Sequence, residues 1–356
     1  MFFGSAIILR SNQLILFDQL TTYNKLLSKQ KVQMMIVKEY DVIIPVGLKD
    51  TGFVWRVVKY IRKCMPEANH IYIITSKKNF KLLRKVHDDD YSILNEDELI
   101  EGLTFQKTSQ YLREANISMR TGWYFQQFLK YGFALSKYAN KYYLSWDADT
   151  LPLARIRFFN KDKPMFTMKT EYNPNYFKTI KKLLGIDKQT KGSFIAEHML
   201  FSTDIIRELI EKISKSEVDG ENWMQKIINA CDASDPMPGF SEFETYGSYV
   251  LATHPDSYAM RHLNTFRYGG YIRGRQINDK MLKKISFDTD TMSFELGMNP
   301  AFPANLPNLW ISTKMKFYKV RQMGLCSAFK RYIDIIKNRK ARRETAKETE
   351  KLMSRT

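Results

Sequence analysis

Tyr142-Tyr143-Leu144-Ser145-Trp146-Asp147-Ala148-Asp149 is the stretch on which the reading of this chain turns. Its first five residues, rich in aromatic rings, suit a buried strand, and the run halts on two acids one residue apart. Where the chain turns at such a strand end, both acids can face one cleft. Carboxylate oxygens there suit a hard cation, Mn²⁺ or Mg²⁺, which can bridge two phosphate oxygens and neutralise a departing diphosphate. D-x-D recurs at Asp88/Asp90 and Asp288/Asp290. The first has no strand before it and reads as a solvated turn, and the second follows a poorer strand, so Asp147/Asp149 is preferred.

Outward from this point the chain alternates. Residues 41–46, Asp-Val-Ile-Ile-Pro-Val, form a β-branched run that predicts a buried strand, and 52–64 carries Val54, Val57, Val58 and Ile61 at helical spacing. A second strand is expected at 70–75, a basic helix over 79–87 and a short third strand at 91–94. Ser118 is expected to cap a long helix reaching about Tyr138. Strand, helix, strand, helix, strand is the order of a mostly parallel sheet covered by helices, in which ligands bind beyond the carboxyl ends of the strands. Past Pro152, strands are expected at 164–168 and 196–201, and helices at 203–213, 223–230 and from Ser241 to about Thr253.

The formal charge is +18, and between Lys314 and Arg343 there are 11 Lys/Arg against one acid, Asp334. Such an excess attracts polyanions without choosing among nucleic acid, an anionic membrane face and phosphorylated substrates. Cys64, Cys231 and Cys326 form no C-x-x-C pair and read as reduced thiols of a cytoplasmic protein. No run approaches the ~18 apolar residues of a membrane span. Three segments are expected: an N-terminal extension, 1–33, outside the fold proper; an α/β domain, 34–310; and a basic amphipathic tail, 311–356. Met34-Met35, just before the first strand, offers an alternative start.

Residues 122–134 (GWYFQQFLKYGFA), 142–153 (YYLSWDADTLPL), 197–202 (EHMLFS) and 240–250 (FSEFETYGSYV) follow in that order. With them the chain resembles a bacterial group described as nucleotide-diphospho-sugar-transferase-like, found among surface-polysaccharide genes, over roughly 38–275. The resemblance implies a GT-A fold, which is Rossmann-like, and glycosyl transfer from a nucleotide-sugar donor. By it, Asp147 and Asp149 match the metal and diphosphate pair, with Asp149 preferred as direct ligand. GT-A enzymes often take a further ligand from a histidine late in the domain; His262 is the candidate here and His254 the second choice.

Direct attack by a sugar hydroxyl needs a base. Ser241-Glu242-Phe243-Glu244 has the S-x-x-E spacing of a capping box, which would fold Glu244 back on the Ser241 amide and leave Glu242 as the base, with Glu244 second. Trp123, Gln127 and Lys130 share a helix face, from which Lys130 could reach donor phosphates and Gln127 the base or sugar. Asp50, after the first strand, could bind ribose, and His198 a sugar hydroxyl. Among Arg267, Arg273 and Arg275, Arg267 is the candidate for the diphosphate.

The tail mixes aromatic and aliphatic residues with its charge, as suits a helix docked on the inner face of an anionic membrane, near a glycan or lipid-linked glycan acceptor. A nucleic-acid binder is disfavoured because no recognition motif appears. A haloacid-dehalogenase-type phosphatase is disfavoured because Leu151 stands where Thr or Val belongs. A non-catalytic transferase-like scaffold is the remaining alternative.

Overall fold

A computed structural model of the chain describes residues 39–83, 91–117, 120–235 and 237–324, with the single positions 326, 327, 329 and 333. The extension 1–33, Asp88 and Asp90, Ser118 and most of the tail beyond 324 lie outside the described residues.

The central sheet is the expected one. β1 (Tyr40–Pro45), β2 (Ala68–Thr75), β3 (Ser92–Asn95), β4 (Tyr142–Trp146) and β8 (His198–Ser202) lie in the order β3-β2-β1-β4-β8. The first four run parallel, and β8 pairs antiparallel with β4. Strand alternation divides the core into two layers. Val42, Ile44, Leu144, Trp146 and Leu200 enter one cluster, with α1 (Val54–Cys64). Ile43, Tyr143, Met199 and Phe201 enter the other. Helices α3 (Thr121–Gly132), α5 (Thr203–Ser214), α6 (Trp223–Ala230) and α7 (Glu242–Thr253) cover that second face.

Strand order reverses between β1 and β4, because β1 leads to β2 on one side while β4 arrives on the other. The crevice at such a reversal, beyond the carboxyl ends, is where open α/β sheets bind ligands. Asp50 follows β1 and Asp147 follows β4, so both stand at this crevice.

Four helices fall where periodicity marked none: α2 (Phe105–Glu114), α4 (Pro174–Leu184) and the short Gly269–Arg273 and Asp279–Ile285, the last overlapping the poorer strand expected before Asp288. Only Thr108, Tyr111 and Leu112 of α2 are buried, a stripe too sparse to read. For α4 the boundary signals stand in the sequence: Asn173 caps, Pro174 opens, and Gly185 closes at φ 70°. The helix α3 is shorter than expected, passing into a 3₁₀ turn at Phe133–Leu135.

After β4, the short β5 (Thr150–Pro152) joins β11 (Thr291–Ser293) and β10 (Thr265–Phe266) in a second sheet. β6 (Phe159–Asn160), β7 (Lys163–Thr167) and β9 (Ala259–Arg261) form a third. The last described helix, α8 (Leu306–Met323), begins before the expected boundary at 311, with Pro307 in its first turn. Among the described residues, no helix is long and apolar enough to cross a membrane.

Candidate active site

The chain turns at the acid pair as the strand-end reading requires. Asp147 N–H donates to Glu197 O at 3.0 Å, carrying the β4–β8 ladder one pair further, and Thr150 N–H donates to Asp147 O at 3.2 Å. Asp149 O accepts from Phe294 N–H at 2.8 Å, which ties the second acid to the end of β11.

Their side chains meet different partners. Asp147 projects to the α3–α7 face, where its Oδ1 lies 3.3 Å from Lys130 Nζ. Lys130 is buried and lies 2.7 Å from Glu242 Oε1, with its ammonium 4.2 Å from the centre of the Phe243 ring. Burial opposes the lysine charge, yet Asp147 and Glu242 outweigh it and push the pKa above the ordinary lysine value.

Asp149 faces the other way. Its Oδ2 lies 3.8 Å from Arg275 Nη2, which bonds Asp50 Oδ1 at 2.6 Å. Burial first, then the charges of Asp50 and Asp147, push the Asp149 pKa up to about 7, with Arg275 and Lys49 pulling the other way.

Asp50, Asp147, Asp149 and Glu242 thus face two buried cations, Lys130 and Arg275. Ionised together they leave an excess of two negative charges, and the nearby Lys49 is mostly exposed. The unbalanced donors are all carboxylate oxygens, so a hard divalent cation fits in both charge and chemistry. Among the described residues no group of three or more His, Cys, Asp or Glu converges on a metal position. Two carboxylates suffice for Mg²⁺-like ions, which keep waters and take substrate phosphates as ligands.

Among the described residues, His262 does not complete a three-ligand metal group with the pair. Strand alternation turns its neighbour Arg261 inward, where the guanidinium bonds Thr167 Oγ1 at 3.0 Å and lies over the Phe158 ring. His262 therefore faces out, exposed. The second choice, His254, sits at the end of α7, 2.9 Å from Glu208.

Four further expectations need correction. Gln127 is buried, and its Oε1 accepts from the Glu242 N–H at 3.0 Å, so it holds α7 instead of reaching a base or sugar. His198 lies directly across from Trp146 and stacks on it at 4.8 Å, on the sheet face away from Asp147. Burial, then the charges of Arg261 and Lys169, hold its pKa well below the usual histidine value, so it is a neutral core ring bonded to Thr167. Arg267 is divided between Glu171 at 3.1 Å and Glu295 at 3.4 Å. Glu244 does not fold back on the Ser241 amide: its Oε2 accepts from Ser193 Oγ at 2.8 Å and Phe194 N–H at 3.1 Å. Ser241 does supply its half of the cap, accepting from the Glu244 N–H at 3.3 Å.

In the Asp288/Asp290 pair, Asp290 serves structure, its Oδ2 accepting from Asn264 N–H at 2.8 Å.

Two residues gain importance. Arg275, one of three arginines on a glycine-rich stretch, is the one buried against the acids. Glu197, cross-strand from Asp147 and 3.5 Å from Lys169, would have been found by pairing 197–202 with 142–147.

No family model matches the chain, and no curated protein does. Among solved structures it is similar to mouse xyloside xylosyltransferase 1 in its apo form, with 11% identity and a TM-score of 0.39 over 73% of this chain and 99% of that one. It is similar to the mannosyltransferase Ktr4p from S. cerevisiae, with 10% identity and a TM-score of 0.35 over 55% of this chain and 66% of that one. It is also similar to the galactosyltransferase LgtC in complex with donor and acceptor sugar analogs, with 11% identity and a TM-score of 0.34 over 77% of this chain and 95% of that one.

Proposed function

We propose that this protein is a glycosyltransferase that moves a sugar from a nucleoside-diphosphate donor to a glycan acceptor of the cell surface, with Mn²⁺ or Mg²⁺ as cofactor. The observation that carries this reading is the acid cluster at the β1/β4 crevice, where four carboxylates meet two buried cations.

Asp149 and Asp147 would hold the cation. When bound, it supplies charge neutralisation for the departing diphosphate. Asp50 and Arg275 form the wall beside Asp149. Glu242, in the first turn of α7, takes the proton of the attacking sugar hydroxyl at a carboxylate oxygen. Lys130 is the shared counter-charge that keeps Asp147 and Glu242 close to each other. Gln127 and Tyr131 aim Glu242 by binding its backbone N–H and C=O. Glu244, held through its Oε2 by Ser193 and Phe194, is left out of the chemistry.

The tail supports an acceptor at the inner membrane face. Leu306, Leu309, Trp310 and Phe317 of α8 are exposed beside Lys314, Lys316 and Lys319. Aromatic and basic residues on one exposed helix suit an anionic lipid surface, where the acceptor would be lipid-linked.

A thermal-shift screen of nucleoside diphosphates and their sugars, with and without Mn²⁺, tests the core of this. Binding raises the melting temperature by mass action. A shift that needs the cation and disappears in Asp149→Ala supports the reading; the same shift in chelator would end it. Binding without turnover on any acceptor would favour a scaffold.

A further inference from the structure

We infer that Asn308, on the tail helix, is a positioning residue for the donor site and acts through Arg275. The inference rests on the donor reading above and extends it to a residue in a segment that looks like an appendage.

Asn308 is the buried residue of an otherwise exposed or half-exposed α8. Its amide is fully spent. Oδ1 accepts from the Arg275 N–H at 3.2 Å, and Nδ2 donates to Met298 O at 3.2 Å and to Asn299 Oδ1 at 3.3 Å. Gly274 makes this approach possible. It has φ 60°, and a Cβ there would lie 2.8 Å from the Asn308 side chain.

From Arg275 the contacts continue into the acid cluster. Its Nε donates to Phe294 O at 2.8 Å, Nη1 to Lys49 O at 2.8 Å and Nη2 to Asp50 at 2.6 Å. Phe294 N–H in turn holds the Asp149 carbonyl. The guanidinium therefore has one pose, and it is the cation that offsets Asp50 beside Asp149. A side chain this rigid is aimed by its own backbone, and that backbone N–H is held by Asn308. Freed from Asn308, Arg275 screens the two acids less well, and the site loses the preorganisation on which donor binding depends.

The test is calorimetric titration of the full-length protein with uridine and guanosine diphosphates in Mn²⁺. The variants are Asn308→Ala and Gly274→Ala, with Thr313→Ala, exposed on the same helix, as control. Asn308→Ala and Gly274→Ala should weaken binding of the preferred nucleotide roughly tenfold, as removal of an outer-shell partner does. In turnover assays the loss should appear in the donor KM and leave the acceptor KM unchanged, a split that general destabilisation does not produce. Should one of the two variants not fold, the other reads the same contact. Unchanged affinity in Asn308→Ala or Gly274→Ala, or a loss shared equally by the acceptor KM, overturns the inference. If wild type itself binds neither nucleotide, the donor reading fails, and the inference with it.

Discussion

Lys130 is the residue on which two carboxylates of the candidate site, Asp147 and Glu242, converge. It is buried, and each of its partners would be left as an uncompensated charge without it. Breaking such a pair from one side costs about 3–5 kcal/mol, whereas removing both charges costs less. Lys130→Met should therefore lower unfolding free energy by that order in urea, and adding Glu242→Gln should recover part of the loss. An additive double mutant would show that the pair is not coupled.

Asp149 carries the opposite kind of cost. Its folded pKa of about 7 lies above the ordinary 3.8. A raised folded pKa gives stability that is full below the unfolded value and is lost as pH rises through the folded one. Without divalent ion, then, Asp149 weakens the fold progressively between about pH 4 and pH 7. Asp149→Asn should melt above wild type at pH 8, by roughly 2–4 °C per kcal/mol relieved, and show no gain near pH 4. Mn²⁺ should raise the wild-type melting temperature at pH 8 and leave Asp149→Asn unmoved. A less stable Asp149→Asn at pH 8 would refute the assignment of strain to this group.

At the scale of elements, the site is made by one helix gripping the start of another. Gln127, Lys130 and Tyr131 lie on one face of α3 and bind, in turn, the N–H, the carboxylate and the C=O of Glu242. Ser241 caps α7 from below, and Glu244 anchors the loop before β8 through Ser193 and Phe194. Gly247 lets that loop close, since a Cβ there would lie 2.3 Å from the Phe194 ring. Ser241→Ala should cost about 0.5–2 kcal/mol, as loss of an N-cap does. Glu244→Ala should cost about 1–3 kcal/mol, because it leaves the Ser193 hydroxyl and the Phe194 N–H buried without their acceptor. Chemical denaturation measures both, and a neutral Glu244→Ala would show that these two bonds do not hold the loop.

Across the whole molecule, charge is segregated. The chain carries +18, yet its candidate donor site is net negative, and the described start of the basic tail, α8, is tied to the domain at Asn308 and Gln322 and exposed or half-exposed elsewhere. Trp310 is 71% exposed, and Phe317 and Phe329 are also exposed, so these rings are not core residues. Lys or Arg near an anionic surface contributes about 1 kcal/mol at best, and buried apolar area adds ~25 cal/mol per Å². Removing residues 315–356 should abolish binding to anionic liposomes while leaving nucleotide binding intact, since Asn308 stays. Binding by the full chain should weaken steeply with salt, because exposed charges are screened within ~8 Å at physiological ionic strength. Vesicle co-sedimentation checks this, and retention of binding by the truncated protein would exclude the tail as the dock.

Periodicity was enough to read where strands end. β-Branched and aromatic runs marked β1, β2 and β4, and their carboxyl ends carried Asp50, Asp147 and Asp149 to one crevice. Ser241 marked the start of α7, and Lys130 was legible as a lysine on the helix beside the sheet. These follow from local chemistry: which side chains pleat, which cap, and which faces are apolar. The pairing of charges was not legible. Lys130 meets Glu242 across 112 positions, and Arg275 meets Asp50 across 225. Nothing in a local pattern separates Arg275 from Arg267, or turns His262 outward and His198 under Trp146. Those outcomes depend on loop closures and on the antiparallel return of β8, which bring distant segments together only when the core packs. A residue's chemistry is written in the chain, but its counter-charge is chosen by the fold.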